Sequence, residues 1–258
     1  MSILLSRKRL TVELVGACVC ALLLMATLVV RADTERTAAD YAADPAAMLD
    51  AYRHIEVASV SDAAEQLFHQ KRFLSHHMRP IFPAKFAGTA LTVKLVKQEG
   101  ADPAALNGML EAIDRGGKDS VYVMQIEGGD DIAGMGGLMG TAMYSRGYAG
   151  AVIGGGVRDL QQLMRINFPV FSTGVVPSTA VGHYRFAAMN VPIVCGGVDV
   201  APNDIVVADA DGVVVIPRAK AVDVLQLAQS LDNKEHSTYP IIEKFHSIVE
   251  AVKRFGRI

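Results

Sequence analysis

The chain has 258 residues, 51% of them hydrophobic and 20% charged, so it is too apolar to be disordered and long enough for one folded domain or at most two. Its 25 Lys and Arg nearly balance its 27 Asp and Glu, which excludes a nucleic-acid-binding protein that relies on a strongly basic face. Cys18 and Cys20 lie close together, and the rest of the chain holds only Cys195, which excludes a disulfide framework or a cysteine zinc site there.

The N-terminal segment has the pattern of an export signal. Basic residues at positions 7–9 precede an uncharged apolar run at 15–30, and these sixteen residues fall short of the roughly 20 that a spanning helix needs. We therefore expect residues 1–32 to be a signal peptide that exports the protein to the periplasm or the medium. A retained membrane anchor is the alternative, and only then would the protein contact a membrane. The remaining chain carries 21 basic and 26 acidic side chains, and this net charge of -5 again disfavours a nucleic-acid partner.

The chain after the signal predicts alternating helices and strands. Residues 33–54 are predicted to be a polar extension that becomes helical at about Pro45. A helix with Ser61 as its N-cap is expected to end near Lys71. Three further elements follow, a strand at 87–96, a helix that begins at Pro103 and a buried strand at Ser120–Ile126. Strand, helix and strand in this order indicate a layered α/β domain.

Glycine is concentrated in one part of the chain, because 11 of the 23 glycines lie within the 29 residues 128–156. Such clustering indicates tight turns or a backbone that approaches another group closely. In this region we predict a helix at Leu138–Arg146, a short strand at Ala151–Ile153 and a helix that begins at Arg158–Leu160. The run Gly154–Gly156 would then be a flexible turn that ends the strand.

The C-terminal part predicts a hairpin followed by helices. Asp204–Asp209 and Val213–Ile216 are β-branched runs joined by Ala210–Gly212, and Asp-Gly between such runs is a strong hairpin signal. Apolar residues recur at helical spacing from Ala219 onward. The tail to Ile258 predicts a second helix with an apolar face formed by Ile242, Phe245, Ile248 and Val252.

Two kinds of catalytic site are disfavoured by the sequence. A nucleotide or S-adenosylmethionine loop after the strand at 120–126 would place the three carboxylates of Glu127–Asp131 where a phosphate lies, and the G-x-G-x-x-G pattern is missing there. Nucleophilic catalysis by Cys195 or Ser172 lacks a histidine close in sequence, although His183 could approach in space. Cys195 within an apolar strand is more typical of a small core residue.

The pair Arg158 and Asp159 is the stronger candidate for chemistry. Aspartate is a hard oxygen ligand for Mg²⁺ or Mn²⁺, and the planar guanidinium of arginine suits a substrate carboxylate. Together they would suit a 2-oxo acid and the negative charge of its enolate, while the alternative is an ion pair in the first turn of a helix. The histidines offer no competing metal site, because His76 and His77 are expected to point in opposite directions and the others lack ligand spacing.

Six segments of the chain, in the order in which they occur, resemble the RraA-like family. This family includes the 4-hydroxy-4-methyl-2-oxoglutarate aldolases and the regulator of ribonuclease activity A. The resemblance extends over about residues 55–232. The segments are Val60–Ala63, Ala87–Val93, Gly136–Met139, Arg146–Val152, Gly155–Asp159 and Pro202–Pro217.

The resemblance implies both a fold and an activity. The fold is a single α/β domain of the three-layer β/β/α swivelling type at residues 55–232, with residues 233–258 as a helical extension. It implies a homotrimer or a dimer of trimers with active sites between neighbouring subunits. The implied activity is that of a divalent-metal-dependent lyase that splits 4-hydroxy-4-methyl-2-oxoglutarate into two pyruvates and decarboxylates oxaloacetate. The alternative is a non-catalytic binding or regulatory protein, although an export signal argues against the inhibition of a cytosolic ribonuclease.

The same resemblance assigns roles to residues of the glycine-rich region. Arg158 would contact the substrate in catalysis, and Asp159 would hold Mg²⁺ or Mn²⁺ directly or through water. The substrate carboxylate would bind the backbone of four residues, Gly136, Gly137, Leu138 and Met139. The residues themselves agree with this, because the two glycines open a helix whose first N–H groups can bind an anion.

Two positions depart from the family's pattern. The aldolases of the family carry an acidic residue 21 positions before Arg158, where this chain has Gly137, and many members carry Asp where this chain has Gly154. The loss of a carboxylate next to a metal commonly costs 10–100-fold in metal affinity or activity. Substrate binding could therefore persist where aldol cleavage fails, unless an acidic residue of the segment 127–131 substitutes.

Overall fold

Within the residues that the computed structural model describes, 36–100 and 102–256, nine strands form one mixed sheet and two form a small hairpin. The export signal predicted at residues 1–32 lies outside the described residues. The architecture belongs to the unit Asp40–Ile258. The strands are β1 (Arg79–Pro80), β2 (Phe86–Lys97), β3 (Ser120–Ile126), β4 (Ala133–Met135), β5 (Gly150–Val157), β6 (Val170–Val175), β7 (Tyr184–Met189), β8 (Ile193–Cys195), β9 (Val198–Val200), β10 (Ile205–Asp209) and β11 (Gly212–Ile216).

Helices precede the sheet, connect its parallel strands and close the chain. They are α1 (Ala38–Ala43), α2 (Pro45–His54), α3 (Val57–Phe68), α4 (Asn107–Arg115), α5 (Gly137–Ser145), α6 (Leu160–Arg165), α7 (Ala221–Phe245) and α8 (Ile248–Phe255). A 3₁₀ turn at Pro103–Leu106 leads into α4, and Asp102 caps it by accepting a hydrogen bond from the N–H of Ala104 at 2.8 Å. The helix start predicted at Pro103 is thus confirmed.

The strand order of the main sheet is β1-β6-β5-β3-β2-β10-β11, with β4 paired to β5 and β7 paired to β2. Strands β2, β3, β5 and β6 run parallel, so their carboxyl ends meet at one edge of the sheet. Strands β10 and β11 form the predicted hairpin, in which Asp209 lies opposite Gly212. Strand β3 has the predicted bounds.

The centre of the sheet is buried on both faces. Along β3, Tyr122 and Met124 point into a core shared with α4, α5 and α6, while Val121 and Val123 point into a core shared with β8 and β9. Alternate side chains of a strand face opposite sides, so a strand covered on both sides must be apolar throughout. This explains why the uninterrupted apolar run could be predicted as a buried strand.

The start of α3 differs from the prediction. The helix begins at Val57, four residues before the predicted cap Ser61. It ends at Phe68 and is followed by His69, which is left-handed with φ 52°. Its first amide groups are bound by distant carboxylates: the N–H of Val57 donates to Asp209 at 3.0 Å, and that of Glu56 to Asp232 at 3.1 Å. These contacts across the fold replace a local cap and allow the helix to begin earlier.

The C-terminal region also differs in detail from the prediction. Helix α7 continues without a break across residues 232 and 233 and ends at Phe245. The next residue, His246, is left-handed with φ 50°. A separate helix α8 then begins, capped by the Ser247 hydroxyl, which accepts from the N–H of Glu250 at 3.2 Å. The four apolar residues predicted to share one helical face are therefore divided between α7 and α8.

The mixed α/β class is confirmed, while the three-layer β/β/α arrangement stays a prediction. Among the described residues, no helix has both the length and the apolar character required to cross a membrane. The predicted domain boundaries near residues 55, 232 and 233 stay predictions as well.

His236 joins α7 to the start of α3. Its ring nitrogens lie 3.4 Å from the carboxylate of Asp232 and 3.7 Å from that of Glu56. The hydrogen bond to the Asp232 carbonyl, the charge of Asp232 and then those of Glu56 and Glu235 raise the pKa of His236 above its ordinary value of 6.5. The charged imidazole is thus favoured in the folded protein.

We expect the stability of the protein to fall as the pH rises through the pKa of His236. A group whose pKa is raised on folding contributes its full stabilisation below its unfolded pKa and loses it above its folded pKa. Urea unfolding at about pH 5.5 and about pH 8.5 measures the difference in the free energy of unfolding between the two pH values. The variant His236→Gln should show a smaller difference than wild type, whereas the control His54→Gln should not. An equal pH dependence in wild type and His236→Gln would contradict the assignment.

Candidate functional site

Arg158 and Asp159 directly follow β5, at the edge where the carboxyl ends of the parallel strands meet. Ligands of open parallel sheets generally bind beyond this edge. The N–H of Arg158 donates to the Met135 carbonyl at 3.0 Å, which ties the end of β5 to β4. Asp159 is left-handed with φ 59°, and the chain turns there into α6. The fold therefore presents both side chains at the sheet edge.

The glycine run before this pair is a strand, and the predicted flexible turn is wrong. Strand β5 extends from Gly150 to Val157, whereas the predicted strand covers only Ala151–Ile153. A Cβ on Gly155 would lie 2.8 Å from the Gly129 carbonyl oxygen and 2.8 Å from Ile126 Cδ1. Glycine is needed because neighbouring backbone packs against the strand, and not because the chain must bend.

The carboxylate of Asp159 faces the neighbouring helix α5. Its Oδ2 accepts a hydrogen bond from the N–H of Gly137 at 2.9 Å, and Arg158 Nε lies 3.9 Å from the same oxygen. The side chain of Asp159 remains 51% exposed. Its carboxylate does not cap its own helix α6, but the ion pair named as the alternative is present between Arg158 and Asp159 at the start of this helix. The arrangement joins a carboxylate, a guanidinium and the amide end of a helix.

Gly136 and Gly137 allow this close approach. A Cβ on Gly136 would lie 2.6 Å from Asp159 Oδ2. A Cβ on Gly137 would lie 2.9 Å from Gln162 Cγ and 3.2 Å from Asp159 Cβ. The side chain of Gln162 thus packs against the position where the family's aldolases carry an acidic residue, and an acid at position 137 would displace it.

A groove of about 670 Å³ opens between α5 and α6. It is lined by Gly137, Leu138, Thr141, Asp159, Leu160, Gln161, Gln162 and Arg165. The other predicted site residues, Gly136, Met139 and Arg158, line a second cavity of about 90 Å³. Gly136 and Gly137 are adjacent, and Asp159 contacts Gly137, so the predicted residues lie together around the first turn of α5.

The acidic residues of the segment 127–131 lie elsewhere. Glu127, Asp130 and Asp131 line a third cavity of about 770 Å³ together with Gly154, and none of them lines the groove that contains Asp159. Within one chain they therefore do not provide a carboxylate to replace the one missing at Gly137.

Five residues that line the groove were not predicted, and three of them form one hydrogen-bonded chain. Arg165 Nε and Nη2 donate to Gln162 Oε1 at 3.0 and 2.8 Å. Gln162 Nε2 donates to Thr141 Oγ1 at 2.9 Å, which in turn donates to the Gly137 carbonyl at 2.7 Å. The spacing of Asp159, Gln162 and Arg165 at intervals of three residues is the sequence signal that could have placed the last two beside the aspartate.

The candidate nucleophiles are not part of the groove. Cys195 is buried in β8, and burial raises the pKa of its thiol to about 12, so it is a core residue as predicted. The Ser172 hydroxyl donates to the Gly174 carbonyl at 3.0 Å. His183 lies 3.2 Å from a carboxylate oxygen of Glu99.

The orientation predicted for His76 and His77 is wrong. The rings of His76 and His77 lie next to each other, with centroids 4.1 Å apart. The two residues form a turn and not a strand, so successive side chains need not alternate. Among residues 36–100 and 102–256, no three His, Cys, Asp or Glu side chains are grouped as a metal site.

Comparison with known proteins identifies relatives of the chain. Residues 57–215 match the RraA-like family, described as Aldolase/RraA. A protein of Halalkalibacterium halodurans that carries the provisional name 4-hydroxy-4-methyl-2-oxoglutarate aldolase is 33% identical over 183 residues, which are 69% of this chain and 80% of that protein.

Solved structures share the fold of this chain. An uncharacterised protein from Pseudomonas syringae pv. tomato superposes with a TM-score of 0.73 and 28% identity over 81% of this chain and 93% of its own. RraAS2 of Streptomyces coelicolor, described as an unusual member of the RNase ES inhibitor RraA protein family, superposes with a TM-score of 0.67 over 76% of this chain and 96% of its own. Its identity of 22% supports the fold alone.

Proposed function

The chain belongs to the RraA-like family, and on that premise we propose that it is a divalent-metal-dependent lyase for small 2-oxo acids. The proposed reactions are the cleavage of 4-hydroxy-4-methyl-2-oxoglutarate and the decarboxylation of oxaloacetate. The observation that carries the proposal is the contact between Asp159 and the first amide group of α5, with Arg158 beside it at the sheet edge. A relative named as an aldolase of this type supports it.

The substrate carboxylate binds at the first turn of α5 in this proposal. The N–H groups of Leu138 and Met139 have no acceptor within the helix, because the first turn lacks preceding carbonyls. Such groups, together with the helix dipole, favour an anion. Arg158 offers its guanidinium to the same ligand and stabilises the negative charge that develops on the enolate oxygen. The side chain of Arg158 is already oriented by a hydrogen bond from Nη1 to the Ser178 carbonyl at 3.1 Å.

Asp159 suits a divalent cation such as Mg²⁺ or Mn²⁺. Magnesium is usually bound through one or two carboxylates, with water and substrate oxygens as its other ligands, so a single half-exposed aspartate is an adequate protein ligand. When bound, the cation supplies Lewis-acid stabilisation of the 2-oxo oxygen. Gly137 orients the carboxylate for this role by donating to Oδ2 and leaving Oδ1 for the cation.

A pyruvate-release assay tests the proposal. We expect turnover of 4-hydroxy-4-methyl-2-oxoglutarate or oxaloacetate in the presence of Mg²⁺ or Mn²⁺, and its loss when a chelator removes the cation. The uncatalysed decay of oxaloacetate in the same metal solution is the control, because free cations also promote it. Turnover that persists in chelator would refute the metal-dependent reaction.

Assembly and location complete the proposal. We propose a homotrimer or a dimer of trimers in which a neighbouring subunit covers the groove, and export of the protein through its N-terminal segment, with anchoring as the alternative. Leu138, next to the candidate anion site, is 90% exposed, and a covering subunit would bury it. Light scattering of the purified protein and fractionation of expressing cells test the two points.

A non-catalytic binding protein is the second candidate. Gly137 favours it, because the carboxylate that the family's aldolases carry at this position is missing and Gln162 packs against the space. The groove and its anion-binding groups would remain. Binding of a 2-oxo acid without metal-dependent turnover, together with a protein partner that co-purifies, would favour this candidate over the lyase.

A further inference from the structure

Arg165 is held in a fixed position in the groove between α5 and α6. It lies in the last turn of α6, and two of its N–H groups bind Gln162 Oε1 at 3.0 and 2.8 Å. The side-chain amide of Gln162 donates a hydrogen bond to the Thr141 hydroxyl, and this hydroxyl donates one to the Gly137 carbonyl. A guanidinium oriented in this way loses little further conformational entropy when it binds a ligand.

The charge of Arg165 is not compensated within the groove. Among the residues that the structure describes, Arg165 forms no ion pair with a carboxylate, and its partner Gln162 is neutral. The only other charged residue that lines this groove in the described chain is Asp159, whose Oδ2 is bound by Gly137. Arginine has five N–H groups, so three remain for a ligand. Within the described chain, the groove therefore has a cation that lacks an anionic partner.

The position of Arg165 relative to Asp159 suits a short diacid. Side chains of a helix lean toward its N-terminus, and the bond from Arg165 to Gln162 shows this lean. The guanidinium therefore lies near the level of Gln162, about 4.5 Å of helix rise from Asp159. A ligand with one carboxylate at the start of α5 can extend along α6 and place a second carboxylate against Arg165.

We propose that Arg165 is a specificity-determining residue that binds the second carboxylate of a dicarboxylic 2-oxo acid. The inference rests on the proposed function, since it takes the first carboxylate and the 2-oxo group to bind near Arg158 and Asp159. Both proposed substrates are diacids, and the inference adds that Arg165 is the residue that selects them over monoacids of similar size. The selection comes from a charged hydrogen bond that a monoacid cannot form.

Equilibrium binding distinguishes the two ligand classes without turnover. Isothermal titration calorimetry of the full protein with Mg²⁺ compares 2-oxoglutarate, a diacid, with 2-oxobutyrate, a monoacid. We expect wild type to prefer the diacid by about ten-fold, and Arg165→Gln to weaken 2-oxoglutarate by about ten-fold while leaving 2-oxobutyrate within about two-fold. Arg115→Gln is the matched control, because Arg115 is an exposed arginine in the last turn of α4 and does not line the groove.

The possible outcomes separate the inference from the proposed function. Equal affinities of wild type for the two acids, or a diacid preference that survives in Arg165→Gln, would overturn the role of Arg165 and leave the lyase proposal standing. An equal loss of the diacid preference in Arg115→Gln would also overturn the role of Arg165. The preference would then depend on the net charge of the protein and not on the position of the arginine. If neither acid binds wild type, the 2-oxo acid function fails and the subsite fails with it.

Discussion

Replacement of Asp159 by asparagine is expected to reduce metal-dependent release of pyruvate by about 1,000-fold, or ~4 kcal/mol of transition-state stabilisation. The change removes the charge that holds the cation and keeps the size of the side chain. The amide oxygen can still accept the hydrogen bond from Gly137, which wild-type Asp159 accepts at 2.9 Å, so the contact between α5 and α6 should persist. The loss should therefore appear in activity and not in folding.

The measurement is kcat/KM for 4-hydroxy-4-methyl-2-oxoglutarate or oxaloacetate over a range of Mg²⁺ concentrations. Asp211→Asn is the matched control, because Asp211 is an exposed aspartate in the β10–β11 turn and does not line the groove. Thermal unfolding of both variants checks that they are folded. Full activity of Asp159→Asn at low Mg²⁺ would show that the cation is held elsewhere.

The elements that could be predicted from sequence are those whose signals are local. Strand Ser120–Ile126 is an apolar run because both of its faces are buried, and the hairpin at Asp209–Gly212 carries its turn residues in the chain itself. The mixed α/β class followed from the order of such elements. In each case the residues that decide the structure are neighbours in sequence.

The predictions that failed depend on contacts between distant parts of the chain. Helix α3 begins early because Asp209 and Asp232 bind its first amide groups, and neither carboxylate is near it in sequence. The run Gly154–Gly156 was predicted to be a turn because glycine favours turns, whereas the packing of other backbone against β5 requires it. Both errors arise where tertiary structure overrides a local preference.

The candidate site was predictable in Arg158, Asp159 and the segment Gly136–Met139, and not in Thr141, Gln162 and Arg165. The chemistry of the two side chains and the family resemblance both indicated Arg158 and Asp159, which the structure presents at the carboxyl edge of the sheet. Gln162 and Thr141 carry no charge and belong to different helices, so their contact across the groove had no sequence signal. The packing of Gln162 against Gly137 explains how the chain accommodates the missing acid, which sequence alone left unexplained.

Replacement of Gly155 by alanine is expected to destabilise the fold by about 3 kcal/mol, at the upper end of the cost of overpacking a core. The new Cβ would lie 2.8 Å from the Gly129 carbonyl oxygen, which is backbone and cannot rotate away, and 2.8 Å from Ile126 Cδ1. Relief of the contact would require β5 to move away from the chain around Gly129. Because Arg158 and Asp159 follow β5 directly, the same movement should also lower activity in the protein that remains folded.

Gly174→Ala is the matched control for this effect. Gly174 lies in β6 opposite Gly156 of β5, and a Cβ there meets no atom within 4 Å. Its backbone has no positive φ, so alanine should cost little or even stabilise by reducing the entropy of the unfolded chain. Chemical unfolding measures both variants, and equal stabilities of Gly155→Ala and Gly174→Ala would contradict close packing at β5. A large loss of stability in Gly155→Ala alone would confirm that backbone packed against β5 requires the glycine run. Arg158 and Asp159 directly follow this strand, so the same packing determines where they lie at the sheet edge.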